Sequence, residues 1–328
     1  MMMMGSQTIT NNGVSGDNQL SVEAKTAYDL NLLYRALPFL PFMTVASKRS
    51  LAKRVGNSME VRRFEPLTVN TTPLVEGVPP AAVDLNITPI TATVRQYGNV
   101  IRFTDQVDMF AIDPVIAEAT TLLGENAGQT LEAVVRAEVV TGTTVNYGTG
   151  STRVAQSASN PLTLRMIRKA VNQLRRNNAM PSNGMRDNNG IATGYIGIIH
   201  PDIYNDLQND TTLTNTFTYS DKEQIYKFNA VEFGGVNFLI SNFAPVFTGA
   251  GAGGVDVYGT LIFGKEAFMV VDPAGAGKPQ TYVKPVGSAG AADPLDQQST
   301  VGWKLTMATK VLNNNFMVRI ETGSNWAA

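Results

Sequence analysis

The amino-acid sequence predicts an α+β protein whose strands and helices fall in separate stretches of the chain. Three features carry this reading: a proline-punctuated β-ribbon between residues 59 and 103, a capped helix over 113–140, and an α/β stretch closed by a strand–turn–strand pattern. At 328 residues the chain exceeds one average domain and is long enough to bury a sizeable core.

In chain order, residues 1–22 are polar and rich in Asn, Ser and Gly, the composition of a disordered arm. Ser21–Leu37 then places Ala24, Ala27, Leu30, Leu33 and Leu37 at helical spacing, until Pro38 and Pro41 end the helix. From Met59 to Phe64 apolar and charged residues alternate, and Thr88–Val94 and Val100–Phe103 also read as strand. Pro73, Gly77, Pro79, Pro80 and Pro89 punctuate the stretch between, giving two arms of a ribbon with an irregular tip. Arms of about 15 residues reach roughly 50 Å at about 3.3 Å per residue.

The ribbon poses the central physical problem. Leu67, Val69, Leu74, Val75, Val78, Val83, Leu85 and Ile87 are apolar, yet a two-stranded hairpin is marginal in water by itself. These side chains pack either on the ribbon's own domain or on a neighbouring subunit, and the residues alone leave both open. Glu60, Arg62, Arg63 and Glu65 put opposite charges at the ribbon's base, where a contact between subunits can use them to fix register.

Asp113-Pro114 opens the clearest helix, an N-cap residue followed by proline at the first helical position. Apolar and small residues recur from Val115 to Val139, and Thr141-Gly142 closes the helix after about 27 residues, roughly 40 Å. Gly124 and Gly128 inside it suggest close approach of another backbone. Past a linker over Thr143–Asn160, Leu162–Asn178 is a helix with Leu164, Ile167, Val171 and Leu174 on one face. A polar loop over Ser182–Gly190, a strand over Tyr195–Ile199 and a short helix from His200-Pro-Asp to Leu207 follow. Beyond a Thr/Asn-rich segment, Val231–Leu239 and Leu261–Phe263 are strands separated by the loop Gly249–Gly254. Gly302–Leu312, the Asn313–Asn315 turn and Phe316–Ile320 complete a hairpin.

Little of this carries reaction chemistry. The absence of cysteine excludes disulfides, thiolate catalysis and cysteine metal sites, and a single histidine excludes a histidine pair. His200, beside Pro201 and Asp202, reads as a capping residue. Ala274-Gly-Ala-Gly-Lys278 lacks the upstream glycine and the trailing Ser or Thr of a phosphate-binding loop, holding Asp272 and Pro279 there. Asp105, Asp108, Asp113 and Glu118 lack the spacing of a calcium loop. No catalytic, cofactor or metal site is expected, and so no enzyme. Lys and Arg number 26 against 27 Asp and Glu, and charged residues total 16%, so no overall field draws the chain to nucleic acid or to a membrane. One local exception stands out: Arg165, Arg168, Lys169, Arg175 and Arg176 make the polar side of the 162–178 helix basic. Such a face is either simply solvated or set against phosphate or an acidic partner, sequence-blind in either case. Neither a leader sequence nor a spanning apolar run is visible, so an intracellular site of synthesis and assembly is expected.

Five segments carry a resemblance: Thr72-Pro-Leu-Val-Glu-Gly77, Ile90-Thr-Ala-Thr-Val-Arg-Gln-Tyr-Gly98, Asp105-Gln-Val-Asp108, Ile112-Asp-Pro-Val-Ile-Ala-Glu-Ala-Thr120 and Leu123-Gly-Glu-Asn-Ala-Gly-Gln-Thr-Leu131. With Ile199-His-Pro-Asp202 after a strand, they resemble the major capsid proteins of tailed bacteriophages, and most of all the family typified by the coliphage N-four capsid protein. The resemblance implies the Hong Kong 97 type fold. Residues 1–58 become an N-terminal arm, 59–103 an extended loop, and 104–160 a peripheral domain with its spine helix at 113–140. Residues 161–270 become an axial domain, and 271–328 return to the peripheral domain through the closing hairpin. It further implies a head subunit that assembles in the host cytoplasm with copies of itself, in hexamers and pentamers, around double-stranded DNA. A separate scaffolding protein, a portal and a decoration protein are its expected partners. An encapsulin-like compartment is the alternative on the same fold.

Overall fold

The structure, a computed structural model, describes residues 40–52, 54, 56–73, 76–77, 82–110, 115–182, 194–210, 231–273, 277–287, 295 and 297–326. The expected arm and helix before residue 38, the Asp113-Pro114 cap, the 183–190 loop, most of the Thr/Asn-rich segment, part of the 274–278 loop, and Leu74, Val75 and Val78 lie outside the described residues.

Among the described residues, one sheet has five strands. In it β1 (Ser47–Leu51) lies parallel to β11 (Phe268–Pro273), and β11 is antiparallel to β13 (Gln298–Val311). β13 is also flanked by β4 (Arg95–Thr104), which leads into the short helix α2 (Asp105–Phe110), and by β12 (Gln280–Lys284), both strands antiparallel to it. Along β13 the period-2 alternation turns Val301, Trp303, Leu305 and Met307 to one face. There they meet α3 (Val115–Val139), whose Leu123, Ala127, Leu131, Val135 and Val139 recur every fourth residue as a buried stripe. A short helix, α1 (Pro41–Val45), seats Phe42 in the same core, edge-on to the Phe263 ring at 6.3 Å.

The second sheet has seven strands. β14 (Met317–Thr322) lies between β5 (Val145–Tyr147), to which it is parallel, and β10 (Val257–Phe263), to which it is antiparallel. β10 also pairs with β9 (Val246–Phe247) and β6 (Tyr195–Ile199), and β6 runs parallel to β8 (Val236–Ile240), which closes on β7 (Val231–Phe233). β10 and β14 are buried on both faces; β10 reads as a continuous apolar or neutral run, whereas β14 also encloses Arg319 and Glu321, which pair with each other. α4 (Leu164–Arg176) and α5 (Pro201–Gln208) complete the core around Ile199, Phe238, Ile262 and Ile320.

Three readings from sequence need correction. Val231–Leu239 is not one strand: Gly234 and Gly235, with φ of +60° and +86°, form a two-residue turn that folds β7 back on β8. The paired part of the ribbon joins β2 (Ser58–Phe64) to β3 (Ile87–Thr93) and stops there; β4 turns away and pairs with β13 over ten residues. The closing hairpin does not form either, because β13 and β14 lie in different sheets. The chain crosses between sheets twice at one corner, once from β10 to β11 and once from β13 to β14. There Gly264 N–H donates to Phe316 O (2.8 Å) and Leu312 N–H to Ala267 O (2.9 Å). Asn313 starts a 3₁₀ turn by accepting the Asn315 N–H on its side chain. Each strand finds its partner in the other crossing, not across its own turn.

Candidate assembly interface

The ribbon has two regimes. At its base, Met59, Val61, Ile90 and Ala92 share one face of the β2–β3 pair, as period 2 requires, and pack on Leu51, Met269, Val271, Ala308 and Leu312. Burial of such a side chain is worth about 1.5–3 kcal/mol, so the chain's own sheet holds the base. Arg63, on the same face, donates to the Leu312 carbonyl (3.3 Å). Past Phe64 and Ile87 the cover ends. One further backbone bond, Glu65 N–H to Asn86 O (3.1 Å), extends the pairing. Beyond it every described residue from 66 to 73, and from 82 to 86, is exposed. Leu67, Val69, Val83 and Leu85 are 58, 83, 67 and 56% exposed. Ile87 is exposed too, as is Phe64, which the sequence reading overlooked although it continues the outward face of Glu60 and Arg62.

The four charged residues at the base divide. Glu60 and Arg62 pair on the exposed face (3.2 Å). Glu65 accepts from Thr88 Oγ1 (3.1 Å) and lies 3.9 Å from the inward-facing Arg63. The basic helix divides as well. Arg165, Arg168, Lys169 and Arg176 line an open groove with Asn146 and Gln173, whose side chains bond to each other at 2.9 Å. The Asp210 carboxylate, which accepts the Leu164 N–H (3.2 Å), lines the adjoining pocket with Arg165, Arg168 and Lys169. Arg175 sits apart, beside the Tyr195 hydroxyl, which donates to Ala179 O.

His200 caps α5, its Nδ1 accepting the Asp202 N–H (3.3 Å). Burial lowers its pKa, while Asp202 (Nδ1–Oδ2 3.1 Å) pulls the other way. Tyr258 donates to the same carboxylate, so the cluster is a closed hydrogen-bonded brace. Glu321 is fully buried on β14 and takes a two-pronged contact from Arg153 (2.7 and 2.8 Å) and a third bond from Arg319 (2.7 Å). Burial pushes its carboxyl up, but the two guanidiniums prevail and hold it below its ordinary value. Arg153 also stacks on Phe247 (3.5 Å), pinning the 143–160 linker to the seven-stranded sheet. Glu132, on the spine-like helix α3, accepts the Phe42 N–H at the start of α1, and its second oxygen has no hydrogen-bond partner. Burial raises its pKa to about 8. Neither carboxylate stood out in the sequence, where each lies in an ordinary polar–apolar pattern.

Among the described residues no cluster of His, Asp and Glu is placed to hold a metal, and no helix is long and apolar enough to cross a membrane. The outstanding surface is the uncovered apolar ribbon on a well-packed two-sheet body. Residues 87–320 match the family model described as phage capsid protein, and the chain belongs to that family. No curated protein matches the sequence. Among solved structures the chain is similar to the capsid of Ralstonia phage GP4 (11% identity, 98% of each chain, TM-score 0.64). It is similar also to the capsid of cyanophage P-SCSP1u (14%, 86% of this chain and 88% of that one, 0.62). A third is the capsid of Helicobacter pylori bacteriophage KHP30 (13%, 98% and 95%, 0.61). At these identities the likeness speaks for the fold, which is the Hong Kong 97 type. The protein is a phage capsid protein, and so a structural component of the virion that associates with copies of itself.

Proposed function

We propose that this chain builds an icosahedral head around double-stranded DNA, as a relative of the coliphage N-four capsid protein, from pentamers and hexamers assembled in the host cytoplasm. The observation that carries the reading is the exposed ribbon tip: Leu67, Val69, Val83 and Leu85 stand in water in the single chain. A row of exposed apolar side chains on a projecting arm marks a protein–protein contact, and a neighbouring copy supplies the cover. In this reading 1–58 is the N-terminal arm, 59–103 the extended loop, most of 104–160 and 271–328 the peripheral domain, and 161–270, whose sheet also takes in β5 and β14 from those flanking stretches, the axial domain at capsomer centres. Scaffolding, portal and decoration proteins are separate chains. Arg165, Arg168, Lys169 and Arg176, gathered in one open groove, face the packaged DNA and contact phosphate without regard to sequence.

Electron microscopy of the expressed chain with and without residues 66–85 tests the proposal. Shells from the intact chain, and only soluble monomers or capsomers from the deletion, are expected. Shells from both would overturn the role of the ribbon.

A further inference from the structure

Two stretches of the chain carry charge of one sign only. From Phe103 to Val135 the sequence contains Asp105, Asp108, Asp113, Glu118, Glu125 and Glu132 and no Lys or Arg. From Leu30 to Met59 it contains Arg35, Lys48, Arg49, Lys53 and Arg54 and no Asp or Glu. The fold carries the described parts of these stretches to opposite ends of β13.

At one end β4 stops at Thr104, opposite Gln298, and α2 begins. Two contacts set the direction of α3: Asn126 accepts the Trp303 Nε1–H (3.1 Å), and Glu138 pairs with Lys310 (2.9 Å). The N-terminal half of α3 therefore points back toward Gln298 and α2. Here Val107, Met109 and Leu122 are 44, 74 and 58% exposed. Glu118 beside them is exposed, and Asp105 and Glu125 are half-buried. Two cations, Arg102 and Lys284, belong to the same end but to the other face of the sheet. Register sets both opposite Thr300, and alternation turns Arg102 away from Ile101 and Phe103, which pack into the core beneath α3.

At the other end Met307 lies opposite Arg95, and Ala308 opposite Val271, which in turn pairs with Arg49 of β1. Lys48, Arg54 and Arg95 are exposed there, and none forms an ion pair with a carboxylate among the described residues. The carboxylates nearby are engaged or set apart: Glu266 pairs with Arg49 (3.3 Å), Glu60 with Arg62, Glu65 lies beside Arg63, and Asp272 is opposite Ser50. From Thr104 to Arg95 the strand covers roughly 30 Å, several screening lengths at physiological salt. The two ends cannot neutralise each other within one chain.

We infer that the acidic end, formed by α2 and the first half of α3, docks on the basic end around Lys48, Arg54 and Arg95 of a second copy of this chain. Val107, Met109 and Leu122 supply the apolar contact, and the opposite charges set partner and register. The two surfaces are different patches of the chain, so the contact is heterologous. Each copy offers one end and receives at the other, and such a contact can repeat around a closed ring. The inference rests on the proposed shell and adds a contact in which the ribbon tip takes no part.

The test is zero-length carbodiimide cross-linking, which joins a carboxylate to a lysine amine, followed by mass spectrometry. It uses shells assembled from equal parts of ordinary and nitrogen-15-labelled full-length chain. Lys310 and Glu138, within reach of each other in one chain, are the internal control. A link from Lys48 or Lys53 to a carboxylate of residues 105–125 is expected, with light and heavy peptides mixed as only a contact between copies allows. The control link without this one overturns the inference. In the full-length chain, E118K/E125K and K48E/R54E are each expected to lower shell yield about tenfold, and the four-fold combination to recover it. Parental yield from either pair overturns the inference, as does a lack of recovery when all three variants keep the parent's urea midpoint. If the parental chain forms no shells, the shell reading itself fails; if shells form without the link, only this contact is wrong.

Discussion

The interior of the body and the tip of the ribbon treat their side chains in opposite ways. The interior encloses carboxylates that water would solvate well, Glu321 between two guanidiniums and Glu132 with one oxygen unpartnered. The tip leaves in water the apolar groups that a fold ordinarily hides. A group buried against its preference makes the single chain sensitive to its removal. A group exposed against its preference adds nothing to the single chain and acts only when a second surface arrives.

Loss of residues 66–85 breaks this comparison most sharply. Shells disappear, while the stability of the soluble chain, followed by denaturant unfolding, stays within about 0.5 kcal/mol of the parent. Next in size is Glu321→Gln, which leaves the largely buried Arg319 and the partly exposed Arg153 without their counter-charge and costs the folded chain about 3 kcal/mol at neutral pH. The pH dependence follows from the depressed carboxyl pKa. The stabilisation from Glu321 is complete above the ordinary carboxylate range and is lost as pH falls through the lower folded value. Unfolding midpoints measured from pH 7 to pH 3 should therefore converge for parent and variant.

Glu132 has the opposite sign. Its pKa rises from 4.5 to about 8 on folding, so the folded chain holds a proton that the unfolded chain has lost. Stability accordingly declines as pH climbs through that window. Glu132→Gln keeps an acceptor for the Phe42 N–H and removes the titration. At pH 9 it should be more stable than the parent by on the order of 3 kcal/mol, and a flat difference across pH 5–9 would refute the assignment. Met269→Ala, under the ribbon's base, should destabilise the soluble chain by about 2–4 kcal/mol. The smallest effect belongs to Leu85→Ser at the tip, within about 0.5 kcal/mol for the soluble chain. If Leu85→Ser destabilised it as much as Met269→Ala, the tip would be packed on its own body.

Much of the fold was legible because local periodicity has direct physical causes. The i+4 recurrence from Leu123 to Val139 marks a helix with one buried stripe, and the alternation from Met59 to Phe64 marks a strand with two unlike faces. His200-Pro-Asp announced a capped helix and forms one. The candidate interface was legible in part. Leu67, Val69, Val83 and Leu85 could be named, but Phe64 was missed, and Arg175 was grouped with cations from which it stands apart.

By itself, then, the sequence determined the two periodicities, the helix capped by His200, and a residue inventory too poor in cysteine and histidine for much of enzymology. Tertiary structure alone decided that β13 and β14 join different sheets, that the ribbon's base is covered while the described residues of its tip are exposed, and that Glu132 and Glu321 lie inside. Alternation shows that a strand has two faces but not which distant strand lies beside it. Burial and charge pairing depend on elements tens to hundreds of residues away, brought together only when the whole chain has folded.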